Sequence, residues 1–178
     1  MQLRKRYLKL FLHMAVPFGF LIGIFYALTQ GIYLGVVIGV LLGVLYGVVT
    51  TLVLGYLHVS SAKKSVLEDD YSRAVHEVNQ QERLELSVPY EKAFNLCLEA
   101  SEVLHRVKIE NYDYAEGIIQ AKTGVNWDTF GDLISFKLIA SDDNYTDIEI
   151  TSKPKVYQLL DYGKNYRNVK NIRSYLEG

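Results

Sequence analysis

The chain has 178 residues, 49% of them hydrophobic and 22% charged, with a formal net charge of −1 at pH 7. That length suits one modest domain with an appendage. From Lys63 onward there are 15 Lys and Arg against 20 Asp and Glu, which argues against nucleic acid as a partner, because binders of a phosphate backbone carry a basic excess.

No Lys, Arg, Asp or Glu occurs from Leu10 through Ala62. A bilayer core about 30 Å thick takes about 20 apolar residues per helix, so this block is long enough for two spans. The polar pair Thr29-Gln30 marks the break, predicting one helix over residues 8–28 and a second starting near Gly31 across a tight turn. Arg4, Lys5, Arg6 and Lys9 precede an apolar run, as in a signal peptide. "FYALTQG" offers no A-x-A site, however, and a second apolar span follows directly, so a retained hairpin is expected. Basic residues stand at both ends of the hairpin, with Lys63, Lys64 and Arg73 following it, and the turn is uncharged. Both termini should therefore face the cytoplasm, as an integral protein of the cytoplasmic or inner membrane with two spans. Tyr26 and Tyr33 flank the turn, where the far interface would lie. The single cysteine, Cys97, leaves no intramolecular disulfide, in keeping with a reducing compartment.

Gly31, Gly35, Gly39, Gly43 and Gly47 recur at every fourth position, and Gly55 follows. Glycine weakens a helix in water by about 1 kcal/mol relative to alanine, so the repetition needs a reason. Residues four apart share a helix face, and in lipid such small-residue stripes let helix backbones approach. The first span has its own stripe in Ala15, Gly19, Gly23 and Ala27. Folding about Thr29 sets Ala27 against Gly31, Gly23 against Gly35, Gly19 against Gly39, and Ala15 against Gly43. The pattern resembles the glycine-zipper hairpins found in several membrane proteins. Gly47 and Gly55 have no small counterpart on the first span, which predicts a further helix from another copy and hence a homo-oligomer. His13, one turn before Pro17 and near the depth of Tyr46, reads as a hydrogen-bonded interfacial histidine.

The second span's apolar run outlasts the first by nearly two turns. Residues 1–60 thus form the hairpin, and residues 61–81 a helical linker or stalk with Leu67, Tyr71, Ala74 and Val78 in a heptad-like stripe. Residues 82–178 read as a cytoplasmic α+β domain. "RLELSV" alternates as a strand. "VPYEKAFNLCLEASEVLHRV" is helical, with Phe94, Cys97, Ser101 and Leu104 on one face. "VKIENYDY", "GIIQAKT", "LISFKLIAS" and "YTDIEITS" read as strands separated by turn clusters, and "KVYQLL" as a possible sixth. Asp161 can cap a last helix, "YGKNYRNVKNIRSYLE". The order β-α-β-β-β-(β)-α predicts an antiparallel sheet of four to six strands with two helices on one face. This order resembles the helix-grip and TATA-binding-protein-like folds, which host lipid, peptide and nucleic-acid binding alike.

No phosphate loop, dinucleotide fingerprint or nucleophile elbow is present, so no enzymatic activity and no cofactor are expected. His13, His58, His76 and His105 lack ligand spacing, and "DDNYTDIE" lacks the glycine and terminal Glu of an EF-hand, so no metal is expected. Cys97 reads as a core residue. Trp127 and Phe130 form either a contact loop or, the favoured reading, a cover over an open end of the sheet. Lys164, Arg167, Lys170 and Arg173 lie along one side of the last helix, with Lys153 and Lys155 upstream. Together with Arg4, Lys5 and Arg6 they are candidates for contact with anionic lipid. The expected function is a non-enzymatic membrane anchor, oligomeric by the spare glycines, that presents a domain binding a cytoplasmic protein or a lipid headgroup. The rivals are a small gated channel lined by the glycine-rich second helix, and a carrier of an apolar ligand in the helix–sheet groove.

Overall fold

The computed structural model describes residues 2–64, 74, 77–125 and 129–178. The chain divides into two compact units, Met1–Ser60 and Ser61–Gly178. In the first, α1 (Gln2–Gln30) and α2 (Ile32–Lys64) are joined by a single residue, Gly31. Its φ of 96° lies where a side chain would be strained, so glycine is what permits so abrupt a reversal. The Gly31 N–H donates to Ala27 O at 3.2 Å, and Gly31 O accepts from the Gly35 N–H at 3.1 Å. One residue thereby finishes the last turn of α1 and opens the first turn of α2.

The first helix starts at Gln2 rather than residue 8. Arg and Lys are good helix formers whose long stems cover apolar surface, so Arg4, Lys5, Arg6 and Lys9 extend the helix instead of delaying it. The two helices, of 29 and 33 residues, are accordingly closer in length than the apolar run alone implies. Pro17 lies inside α1, and the His13 ring donates from Nδ1 to Lys9 O at 2.7 Å.

The second unit is an antiparallel sheet with two helices. Its elements are β1 (Gln80–Leu86), α3 (Tyr90–Glu102), β2 (Lys108–Asp113), β3 (Ile118–Lys122), β4 (Asp132–Ala140), β5 (Thr146–Pro154) and α4 (Lys164–Glu177). The sheet order is β1-β5-β4-β3-β2, so the first strand closes against the last. Alternation decides which face is covered. Ile134, Phe136 and Leu138 of β4, Ile148 and Ile150 of β5, and Ile119 and Ala121 of β3 are buried, while their neighbours in sequence face outward. Against that face α3 sets Phe94, Cys97 and Ala100, and α4 sets Val169, Ile172 and Leu176. Tyr166 is buried with them.

The boundaries differ from the sequence reading in three places. The helix around Cys97 stops at Glu102, and the chain turns through Arg106 at a φ of 54° before β2. Residues 155–160 are not a strand. β5 already has β1 on one side and β4 on the other, and Pro154 removes an N–H at its end, so the chain that follows β5 cannot pair beside it. Of the stalk stripe, Leu67 and Tyr71 lie outside the described residues, while Ala74 and Val78 are buried.

Candidate functional site

The hairpin seam is backbone against backbone. A Cβ placed on Gly39 would lie 2.7 Å from Gly19 O and 2.8 Å from Gly23 Cα, and one on Gly43 would lie 2.8 Å from both Ala15 O and Gly19 Cα. At Gly35 the nearest atoms are Ala27 Cβ and N and Gly23 O, all at 2.6 Å. Gly23 has more room, 3.3 Å from Gly35 O, and Gly31 meets nothing within 4 Å. Beyond the glycines, Phe18 stacks on Tyr46 with ring centroids 4.2 Å apart, so Tyr46 pairs with a ring and His13 with a backbone carbonyl.

The expectation that Gly47 and Gly55 lack a partner in their own chain is overturned. A Cβ on Gly47 would lie 2.6 Å from Ala15 Cβ and 2.9 Å from the Phe11 ring, and one on Gly55 would lie 3.3 Å from the Tyr7 ring. Ala15 serves both Gly43 and Gly47, which a one-to-one pairing of small residues misses, and over Gly55 a flat ring fills the hollow that a small residue otherwise would. Beside the seam the hairpin keeps an open apolar groove of about 570 Å³, walled by Leu12, Val16, Phe20, Val36 and Val40.

In the α+β unit, buried polar side chains tie α4 to the sheet. Asp161, three residues before α4, accepts the Gly163 N–H at Oδ1 (3.2 Å) and the Asn165 N–H at Oδ2 (3.1 Å), which ties down the start of the helix. Ser152 donates to Asn165 Oδ1 at 2.6 Å, and Asn168 Nδ2 donates to both Ser152 Oγ and Asp132 Oδ2. Asp132 is wholly buried. Burial raises its carboxyl above the usual range, against the lowering effect of the Asn168, Thr129 and Thr123 hydrogen bonds and of the Lys164 charge. The network clasps α4 to the sheet, with the Ser152 hydroxyl donated to Asn165. Cys97 is fully buried, and burial pushes its thiol up to about 12, which leaves it inert. Among the described residues no three His, Cys, Asp or Glu side chains converge as a metal site would require.

The basic residues of α4 are half-buried rather than presented outward. Arg173 binds Glu82 and also Glu177, the latter at 2.8 Å, and Lys170 lies 3.7 Å from Glu82. The Arg167 guanidinium donates to Tyr162 O at 2.9 Å, and Lys164 stands at the start of the helix. Arg4 and Lys5 are exposed on α1, and Arg6 is half-buried. Trp127 lies outside the described residues. Phe130 is 65% exposed, so it does not cover the sheet as the favoured reading had it. The aromatic cluster that packs at a sheet end is Tyr90, Phe94 and Tyr114, at the opposite end.

Lys153, noted in the sequence, has as neighbours two lysines, Lys108 and Lys122, that only the register brings to it. Lys108 of β2 faces Lys122 of β3, which faces Leu133 of β4, which faces Lys153 of β5. The β2 register shifts between Ile109 and Asn111, at Glu110, which ion-pairs with Lys122. That hydrogen bond, with the charges of Lys155 and Lys108, holds the Glu110 carboxyl below its ordinary value.

No protein-family model matches the chain, and no curated protein matches it. Among solved structures it is similar to an uncharacterized protein from Bacillus thuringiensis, at 11% identity and a TM-score of 0.42, over 55% of this chain and 95% of that one. It is also similar to BexL, a di-domain ARO/CYC from the BE-7585A biosynthetic pathway (9% identity, TM-score 0.43), over 56% of this chain and 44% of that one. A third is the Zhui aromatase/cyclase from Streptomyces sp. R1128, at 9% identity and a TM-score of 0.34, over 56% of this chain and 84% of that one.

Proposed function

We propose that this chain is a non-enzymatic integral membrane protein. Its hairpin anchors it in a cytoplasmic membrane with both termini on the cytoplasmic side, and its α+β unit binds a protein or lipid headgroups there. The observation that carries the reading is the outside of the hairpin. Leu3–Gln30 of α1 and Ile32–Lys64 of α2 are long and apolar enough to cross a bilayer, yet only 11% and 22% of their most apolar stretches are buried. A core helix in a water-soluble protein hides most of such a surface. Here Phe20, Leu21, Leu28 and Ile32 stand exposed among many others, more apolar area than a soluble monomer leaves open. The Thr29 and Thr50 hydroxyls donate back to Phe25 O and Tyr46 O, which removes two polar groups from any contact with lipid.

A channel lined by the glycine stripe is less well supported. Gly35, Gly39, Gly43 and Gly47 all face α1 of their own chain, so the stripe is not free to wall a pore. Self-association remains part of the proposal, through the open groove rather than through Gly47 and Gly55.

The anchor is tested by extracting membranes that contain the full chain. It should stay in the membrane fraction through a carbonate wash and leave only with detergent; release by carbonate would overturn the anchor. Orientation is read in intact cells with an impermeant maleimide. Tyr33→Cys, beside the turn, should react from outside, and Asn144→Cys, in the β4–β5 turn, only after lysis; the converse would overturn the topology. Native mass in nanodiscs tests assembly, with Val40→Trp blocking the groove. A wild-type monomer would remove the oligomer from the proposal.

A further inference from the structure

The α+β unit is electrically polarised along its strands. At one end lie the start of β2, the end of β3, the start of β4 and the end of β5. Lys108, Lys122 and Lys153 share a rung across the outer face of that end, and Lys155 follows. Like charges directly opposite on neighbouring strands are destabilising, so Lys108 facing Lys122 is a local cost that folding alone does not explain. Among the described residues, Lys122 is the one of these four that is ion-paired, and a single carboxylate, Glu110, serves the group.

The same end exposes apolar side chains. The Lys155 N–H donates to Gly131 O at 2.9 Å, which ties together two loops. Phe130 and Val156, each next to that bond, are exposed, and Tyr157 is 74% exposed. The opposite end is acidic, with Asp142 and Asp143 in the β4–β5 turn, Asp113 and Glu116 at the β2–β3 turn, and Glu85 facing Asp147 in register. The chain enters the unit at the basic end. Gly163, just before α4, lies against Ala62: a Cβ there would be 3.4 Å from Ala62 Cα. Lys63 and Lys64 follow at the end of α2.

We infer that this basic, apolar-studded end of the α+β unit is a docking face for the anionic cytoplasmic leaflet. Lys108, Lys153 and Lys155 meet the lipid headgroups, and Phe130, Val156 and Tyr157 insert at the interface. The inference rests on the membrane reading above and adds to it a face, an orientation and a lipid charge. The partner is a negative surface because the lysines outnumber their carboxylate. It is a bilayer because the exposed rings beside the lysines suit the headgroup level. The acidic end, repelled by the same surface, points the unit away from the leaflet.

The test uses the full chain in nanodiscs, with a dye on Tyr157→Cys or, at the acidic end, on Asn144→Cys. Quencher-bearing lipids report contact, and buried Cys97 does not take up the dye. In discs of phosphatidylcholine with one part in three phosphatidylglycerol, the dye at position 157 should be quenched and that at 144 should not. Quenching should weaken with added salt. Each of Lys108, Lys153 and Lys155 changed to Gln should lower the ratio of docked to undocked unit about fivefold, whereas Lys92→Gln on α3 should leave it unchanged. Equal quenching at both positions, or quenching indifferent to lipid charge, would overturn the docking face. Carbonate extraction of the same preparation separates the two failures. Loss of the chain from the membrane fraction sinks the anchor, while a retained chain with an unquenched Tyr157→Cys dye sinks only the docking face.

Discussion

The hairpin and the α+β unit bury opposite kinds of residue. Inside the sheet-and-helix core stand Phe136, Ile134, Ile148 and Ile150, and, Asp132 and Asp161 apart, the charged residues of the described chain lie at least partly exposed. Inside the hairpin stand Gly35, Gly39, Gly43 and Ala15, and the large apolar side chains face out. In water, hiding apolar area is the chief driving force, at about 25 cal/mol per Å², so the largest side chains go in. In lipid the outside is as apolar as the inside, that force vanishes, and close backbone approach decides what is buried. On the membrane reading, both halves obey one rule in two solvents.

The sharpest way to break that comparison is the same substitution in each half. Phe136→Ala removes a ring that is 1% exposed between the sheet and its helices, and should cost about 3–5 kcal/mol. Phe20→Ala removes one that is 68% exposed on the hairpin, and should change stability by no more than about 0.5 kcal/mol. Hydrogen exchange of sheet and hairpin amides in nanodiscs reads both. A hairpin that loses as much as the sheet would mean that Phe20 is covered by something, and the groove it lines would be the first place to look.

A second contrast lies within the hairpin. Gly39→Leu forces a side chain into Gly19 O and the Gly23 backbone, neither of which can rotate away. The helices must separate, at a cost of about 1–3 kcal/mol or more. Gly31→Ala meets no neighbour, and only its φ of 96° opposes it, for about 1 kcal/mol. Denaturation in mixed detergent micelles should rank the two in that order. The reverse order would place the stability of the hairpin in its turn rather than its seam.

How much of this was legible follows from the range of the interactions. The glycine seam repeats every four residues, so it can be counted off from the turn for Gly35, Gly39 and Gly43. The expected pairing of Ala27 with Gly31 is not made, because Ala27 lies against Gly35 and Gly31 meets nothing within 4 Å. The strands announce themselves by alternation in segments such as "LISFKLIAS". What failed was what depended on distant chain. Gly47 looked unpartnered because a one-to-one register had already assigned Ala15 to Gly43, whereas Ala15 packs against both Gly43 and Gly47 and the Phe11 ring fills the rest. Residues 155–160 looked like a strand because nothing local says that both edges of β5 are taken. The lysine rung needs the pairing of β2, β3 and β5 before its members become neighbours. Within the basic stripe of α4, the tie of Arg173 to Glu82 was hidden because Glu82 lies 91 residues away in sequence.

That last pairing supplies the smallest and most discriminating prediction. Two arginines each hold a glutamate across the α+β unit, but in different surroundings. Arg83 and Glu149 meet on the open face of the sheet at 2.6 Å, with the Arg83 side chain 78% exposed. Such a pair contributes about 0.2–1 kcal/mol. Arg173 reaches Glu82, whose side chain is only 10% exposed, so removing the arginine leaves a mostly desolvated carboxylate with Lys170 at 3.7 Å as its nearest cation. With a discount for the third of Arg173 that solvent reaches, Arg173→Ala should cost about 1 kcal/mol and Arg83→Ala about half that or less. Exchange rates of β1 and β5 amides report both. If Arg173→Ala left those amides unchanged but loosened the unit from anionic lipid, α4 and not the sheet end would be the face that meets the membrane. If it loosened β1 and left lipid contact alone, the cations of α4 belong to the fold and the lysines at the sheet end to the membrane.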